Sequence, residues 1–466
     1  MRQLLTLTFL LLSAVAGLRA GVVPLRIATF QADATPPIGS ALCFGNVKPV
    51  KEVVTPLTGR GVILLGAGEP IVLCAFDWLG IANESHDAAR DALAKAVGTS
   101  RDRVTVHVLH QHDAPGSDFG AERLLAEHGL GGQGSNAEFD RQAFQHVASV
   151  AKASLATARP VTHVGLGAGK VEQVASNRRI LDPFTRRVAI VRLSATRSPE
   201  AQAAPEGTID PLVHLVAFWS EDKPVAVMTY YATHPQSYYG QGSVNWDFVG
   251  IARELREKAL PGVAHIHFDG AGGNVAAGKY NDGSKDKRPV LAQRLADGMK
   301  LAWDSQKKQP IRAADVGWQV APVAMPVRDT LEDKQLLAKL SDTTQKQLDR
   351  LRAARDLSFL RRTRGGHQIP VSCLRLGTAR VLHLPGELFV EYQIAAQQMR
   401  PDDFVAMAAY GDLGPGYIGT ELAYGQGGYE TGIVSRVAPE VEKVLVGAMQ
   451  HLLGNKPGMI QPKSSR

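Results

Sequence analysis

Short apolar runs, each stopping at glycine, proline or a polar cluster, recur along the chain and alternate with stretches of helical period. Leu25–Phe30 reads as a first strand, followed by a turn fixed by Pro36 and Pro37. Gly61–Leu65 and Ile71–Phe76 read as a hairpin around Gly66-Ala67-Gly68, and Ser85 is placed to cap a helix reaching about Val97. Val104–Leu109 is a strand ending in His110-Gln111-His112-Asp113. The glycine-rich run from Asp118 to Asn136 reads as a mobile loop, and a helix is expected from about Glu138 to Ala156. Strands follow near Val161–Leu166 and Arg187–Leu193, with Ser198–Gly207 as a surface insertion between elements.

The central pattern lies between Val225 and Asp282. The run Val225–Tyr231 delivers His234 into a Pro/Ser/Gly-rich loop, and Val263–Phe268 delivers Asp269 into Gly270-Ala271-Gly272-Gly273-Asn274. Rigid strands that discharge polar groups into loops are a usual way to build a site. Beyond them, Leu291–Trp303 is helical, and the charged stretch 331–362 reads as a helical hairpin with a solvated face. Cys373–Leu384 reads as one strand ending at Pro385-Gly386-Glu387, with a helix to Met399. Phe404–Ala409 is the last core strand, a Gly/Tyr-rich loop follows to Gly432, and Pro439–Leu453 forms the closing helix. Alternating strands and helices of this kind predict an α/β fold with polar ligands at strand ends. No internal sequence repeat is visible.

Composition refines the class. With 466 residues, 44% hydrophobic, the chain can bury a large core. Its net charge of +7 is small for that length and is not gathered into a stripe, which argues against a nucleic-acid partner. Residues 1–20 carry a basic start, an apolar middle and small residues at Ala14-Val15-Ala16, the pattern of an export signal. The apolar part is too short to span a bilayer, so the mature chain is expected to lack a transmembrane anchor. Residues 21–455 are expected to form the catalytic domain and 456–466 a polar tail. The three cysteines have no metal-binding spacing; Cys43 and Cys74 fit either a disulfide or two buried thiols.

His110 and His112 stand at one strand end and His234 at another, and histidines from separate strand ends can converge on a metal. Glu387, after a Pro-Gly turn, fits a carboxylate ligand, or equally an acid favoured at a helix N-terminus. Gly273–Tyr280 nearly spells a phosphate-binding loop, but Tyr280 stands where a small hydroxyl is needed, which excludes that chemistry.

His110-Gln111-His112-Asp113-Ala114-Pro115-Gly116 resembles the T-H-T-H-S-G/A-P-G segment of neutral ceramidases. Ala32-Asp33-Ala34-Thr35-Pro36-Pro37, Asn177-Arg178-Arg179, Ala232-Thr233-His234-Pro235, Pro385-Gly386-Glu387 and Tyr417-Ile418-Gly419-Thr420 resemble further family segments in the same order. The resemblance implies the family's mixed α/β catalytic domain, with one zinc ion held by His110, His234, Glu387 and Tyr417 and with His112 beside the reacting carbonyl. It implies amide hydrolysis of a ceramide-like N-acyl lipid. Gly270 stands where the family has a serine, which excludes a seryl intermediate there and leaves water as nucleophile. The chain is also expected to lack the family's C-terminal immunoglobulin-like domain. Asp269 is expected either to act as a base or to support the glycine loop, with Asn177, Arg178, Gly270 and Asn274 contacting the substrate. Two alternatives stay open: a metal-dependent hydrolase or lyase acting on a polar, sugar-derived molecule, and a silent metal-binding scaffold. An apolar groove beside His112 would favour a lipid, a small polar cavity the other substrate.

Overall fold

The computed structural model describes residues 24–454; the export signal and the polar tail lie outside the described residues. Three larger sheets carry the fold. The first holds β1 (Arg26–Asp33), β2 (Thr58–Gly66), β3 (Gly68–Phe76) and β4 (Val104–Val108). The second holds β5 (His163–Lys170), β6 (Leu212–Ser220), β7 (Lys223–Tyr231) and β8 (Ala264–Asp269). The third holds β9 (Val316–Val323), β10 (Ile369–Leu376), β11 (Ala379–His383) and β12 (Val405–Ala408).

One topology is used three times. In each sheet the first three strands run as an antiparallel meander, and a helical crossover then lays the fourth strand parallel to the third. The first unit adds α1 (Glu84–Val97), α2 (Phe119–Glu127) and α3 (Ala137–Ser154), and the second α4 (Asp247–Ala259) and α5 (Lys287–Asp304). The third adds α6 (Asp333–Ser341), α7 (Gln347–Arg364), α8 (Val390–Met399) and α9 (Val441–Leu452). Crossovers run through α1, α4 and α8. Because the second strand of each meander is antiparallel to both its neighbours, the first, third and fourth strands point the same way. The loops that follow those three strands therefore leave one end of every sheet, the carboxyl end of its parallel pair, where open α/β sheets place ligands.

Period-two burial explains how the sheets pack. Ile71, Leu73 and Ala75 of β3, Met228 and Tyr230 of β7, and Leu374 and Leu376 of β10 face one shared core between the sheets. The alternate residues Val72, Cys74 and Phe76, or Val227 and Tyr231, face the layers beyond, which include the helices. Both faces of each sheet are thus covered, which is why the strands read as nearly continuous apolar runs. Polar bonds join the units: Arg253 of α4 donates to Asp77 at 2.6 Å, and Ala409 N–H donates to the Asp269 carbonyl at 2.9 Å. Val108 N–H donates to the Tyr410 carbonyl at 3.1 Å, and a His107 Nδ1–Ala409 carbonyl bond of 2.7 Å lies beside it.

Several sequence expectations change. The run 118–136 is not simply a loop: Asp118 caps α2 by accepting from Ala121 N–H, and Ala121, Leu124 and Leu125 pack against α7. Ser85 lies inside α1, its Oγ accepting from Phe119 N–H, and Asn83 takes the capping position. Cys373–Leu384 is two strands, β10 and β11, turned at Gly377, whose φ of 60° suits glycine. The charged stretch 331–362 is not a solvated hairpin, since α7 buries Leu351, Ala354, Leu357, Phe359 and Leu360. Cys43, Cys74 and Cys373 are free, buried thiols, so the disulfide does not form. No helix of the described residues is long and apolar enough to cross a membrane.

Candidate metal centre and its cavity

The end-of-sheet loops of all three units meet at one place. The loop after β4 supplies His110 and His112, that after β7 supplies His234, that after β11 supplies Glu387, and that after β12 supplies Tyr410 and Tyr417. His110, His234 and Glu387 are buried, with ligand atoms all within 4.8 Å of one another. His110 Nε2 lies 3.3 Å and His234 Nε2 3.1 Å from the same Glu387 oxygen, Oε2. Tyr417 Oη is 3.0 Å from His234 Nε2.

The outward nitrogens fix the chemistry of this group. His110 Nδ1 sits 2.7 Å from the Leu79 carbonyl, and His234 Nδ1 2.6 Å from the Gly272 carbonyl. A carbonyl only accepts, so each Nδ1 carries the proton and each Nε2 presents a lone pair. Two lone pairs and a carboxylate oxygen thus face one another with no donor of their own between them, an arrangement that a cation relieves. The donor set and its carbonyl-oriented imidazoles fit a divalent first-row metal. Burial pushes the Tyr417 phenol well up, against which the Arg178 guanidinium pulls it down.

Backbone geometry is set for this convergence. His110 and Tyr410 each stand two residues past the end of a fourth strand, with φ of 61° and 57°, and their rings lie 4.8 Å apart. Non-glycine residues in this region are costly and persist where the surroundings hold them. The glycine loop after β8 binds the ligand loops together: Gly272 supplies the His234 acceptor, and Gly273 N–H donates to the Leu388 carbonyl at 2.7 Å. A Cβ on Gly273 would lie 2.2 Å from the Glu387 carbonyl oxygen, so only glycine permits this approach.

A cavity of about 250 Å³ opens beside the triad, lined in part by His110, His112, Glu387, Tyr417, Phe44 and Arg355. His112 stands edge-on to Tyr239 at 4.4 Å, and its Nδ1 is buried without a hydrogen bond. Burial, then the neighbouring His110 and His234, keep His112 well below its usual pKa and hence neutral.

Four other expected site residues do not reach this cavity, and Arg178 meets the centre from outside it. Asp269 is wholly buried under the site, with no hydrogen-bond partner for its carboxyl oxygens, and burial pushes its pKa well up. Of the two roles expected of it, base or support of the glycine loop, its burial away from the cavity leaves the second as the one its position fits. Asn177 is spent on the Thr208 carbonyl and Arg179 N–H. Asn274 is spent on Val390 N–H and Glu391, pinning the start of α8. Gly270 faces away from the centre: a Cβ there would meet Gln393 Oε1 at 2.5 Å, so Gln393 fills the place of any side chain. Arg178 donates to Tyr417 Oη at 3.0 Å and pairs with the buried Glu430 at 3.2 Å, which makes it a support for a ligand. Sequence reasoning missed Arg352, Arg355, Arg436, Tyr239 and Tyr410; only the Gly/Tyr-rich pattern of the late loop pointed towards any of them.

A mixed α/β fold carries, at its converging strand ends, a buried His-His-Glu group that could hold a metal ion. Two solved structures are similar to it. A ceramidase complexed with C2 aligns at a TM-score of 0.66 and 15% identity, covering 92% of this chain and 74% of that one. Neutral ceramidase from Pseudomonas aeruginosa aligns at a TM-score of 0.66 and 15% identity, covering 95% and 77%. The likeness establishes a ceramidase-like fold. No protein-family model and no curated protein sequence matches the chain.

Proposed function

We propose that the protein is an exported zinc-dependent hydrolase, a divergent relative of neutral ceramidase that cleaves an amide bond with water as nucleophile. One observation carries this: two imidazole lone pairs each lie within 3.3 Å of one Glu387 carboxylate oxygen, each imidazole locked in the metal-binding tautomer. His110, His234 and Glu387 hold the ion, with Tyr417 as fourth ligand steadied by Arg178. Bound zinc supplies Lewis acidity, lowering the pKa of a water and polarising an acyl carbonyl. His112, neutral and on the cavity wall, takes the proton that water releases as its oxygen bonds to the acyl carbon. It then gives that proton to the departing nitrogen as the C–N bond breaks. With Gly270 at the position of the family serine and Gln393 filling the adjacent space, no seryl hydroxyl competes with water. The export pattern at residues 1–20 supports a location outside the cytoplasm.

The test is elemental analysis of the purified protein and of His234→Ala, paired with a panel of amide, ester and glycoside substrates. About one zinc per chain, lost in the variant together with amide hydrolysis, is expected. A wild type that takes up no zinc, or a variant that keeps both metal and turnover, overturns the assignment.

A further inference from the structure

Three arginines line the cavity. Arg352 and Arg355 stand one turn apart on α7, and Arg436 reaches the same wall. Arg436 is already engaged, donating to Asp356 at 2.7 Å and to the Gly414 carbonyl at 3.0 Å. Arg352 has only Asp349 at 3.6 Å, beyond hydrogen-bond range. Arg355 is the unusual one. Its guanidinium lies 3.7 Å over the Phe44 ring, and among the described residues no hydrogen bond or ion pair reaches it.

The acids around Arg355 are committed elsewhere. Asp118 accepts from Ala121 N–H, Ser358 and Asn83, while Asp356 accepts from Arg436. Burial, then the charge of Arg436, push Arg355 down to about 10, which leaves it cationic at neutral pH. Glu387, which faces the metal centre, is the only carboxylate on the cavity wall. A guanidinium with its planar fork free, its carbon held over an aromatic ring, is preorganised for a carboxylate, phosphate or sulfate. The cavity, at about 250 Å³, is also smaller than the roughly 300–1,000 Å³ usual for drug-sized ligands.

Building on the hydrolase assigned above, we propose that the substrate is a small acylated molecule bearing an oxyanion, which Arg355, aided by Arg352, holds beside the metal centre. A long-chain neutral lipid would leave these donors desolvated and unpaired, at a cost the site does not offset. This deepens the polar-substrate alternative and moves its recognition from Asn177 and Arg178 to α7.

The test is calorimetric binding to the zinc-loaded protein of N-acetylglycine, its neutral amide N-acetylglycinamide, and inorganic phosphate. N-acetylglycine is expected to bind about tenfold or more tightly than the amide. Arg355→Gln is expected to erase that preference while keeping zinc stoichiometry; Arg355→Met, which retains the stem over Phe44, repeats the comparison should the first variant fold poorly. Tighter phosphate than N-acetylglycine assigns the site to phosphorylated substrates, and the reverse to carboxylates. Equal affinity for acid and amide, or an acid preference unchanged in both variants and so due to the metal alone, overturns the proposal. The hydrolase assignment is read separately: an Arg355-dependent anion preference without turnover of any substrate refutes catalysis and leaves the anion site standing.

Discussion

Replacing Gly273 by alanine tests how the metal centre is held. The new Cβ would lie 2.2 Å from the Glu387 carbonyl oxygen, 2.8 Å from its carbon and 2.9 Å from the Leu388 oxygen. All three are backbone atoms, so no side chain can swing aside. Restoring an ordinary 3.4 Å contact needs about 1.2 Å of separation between the glycine loop and the Glu387 loop. Overpacking of this kind costs about 1–3 kcal/mol, and a functional constellation tolerates about 0.5 Å of error. Glu387 would then leave the imidazoles, with a loss in zinc affinity of the order found for disturbed supporting contacts, about 10–100-fold. Chelator competition on wild type and Gly273→Ala measures the affinity, and denaturant unfolding of the zinc-free proteins measures the stability. Gly447→Ala is the control: it sits exposed in α9 with open space at its Cβ, and alanine there stabilises by about 0.5–1 kcal/mol. Wild-type zinc affinity and unaltered unfolding in Gly273→Ala would refute the account of the glycine loop.

Three further outcomes are expected. His112→Asn retains zinc but loses turnover about 10²–10⁴-fold, as removal of an acid–base group does; retained turnover assigns proton transfer elsewhere. Arg178→Ala leaves the wholly buried Glu430 with Arg179 alone, 3.3 Å away, and frees Tyr417 Oη, destabilising by about 1.5–3 kcal/mol in chemical unfolding; an effect below about 1 kcal/mol would show the Arg178 pair to be dispensable. Asp269 has a folded pKa above its unfolded value of about 3.9, so the folded state keeps a proton that the unfolded state loses as pH rises. Its contribution is complete below about pH 4 and falls as pH climbs towards the raised folded pKa. Zinc-loaded Asp269→Asn should therefore gain stability relative to wild type between pH 5 and 8, and a pH-independent difference would show that Asp269 is ionised in the fold.

The sequence carried the ligands better than their surroundings. His110, His234 and Glu387 were legible because each ends an apolar run and enters a loop, a signal that survives without tertiary information. The arginines of α7 were not, since Leu351, Ala354 and Leu357 alternate with Arg350, Arg352 and Arg355 in a pattern that a solvated helix shares. What separates the cases is the partner: α2 and the cavity cover a face that charge patterning assigns to water. Asp269 misled for the opposite reason, because a polar residue at a strand end resembles a ligand until its burial is known. The threefold topology left no sequence trace because equivalent places meet different neighbours: Phe76, Tyr231 and His383 all end a third strand, yet face two different outer cores and the His107 ring.

The threefold use of one topology would also make a bound metal a keystone. His110, His234 and Glu387 each belong to a different unit, so a single ion held there would tie together segments that stand up to 277 positions apart, from 110 to 387. A cross-link spanning such a distance restricts the unfolded chain far more than the folded one, and metal binding is paid back as folding free energy. Removing the ion should first loosen the seams where the units meet, such as Val108–Tyr410 and Ala409–Asp269, while each sheet stays paired within itself. Capture of an ion and the closure of the three units around their common core would then be one event, and a chain without that ion would be one that has not finished assembling.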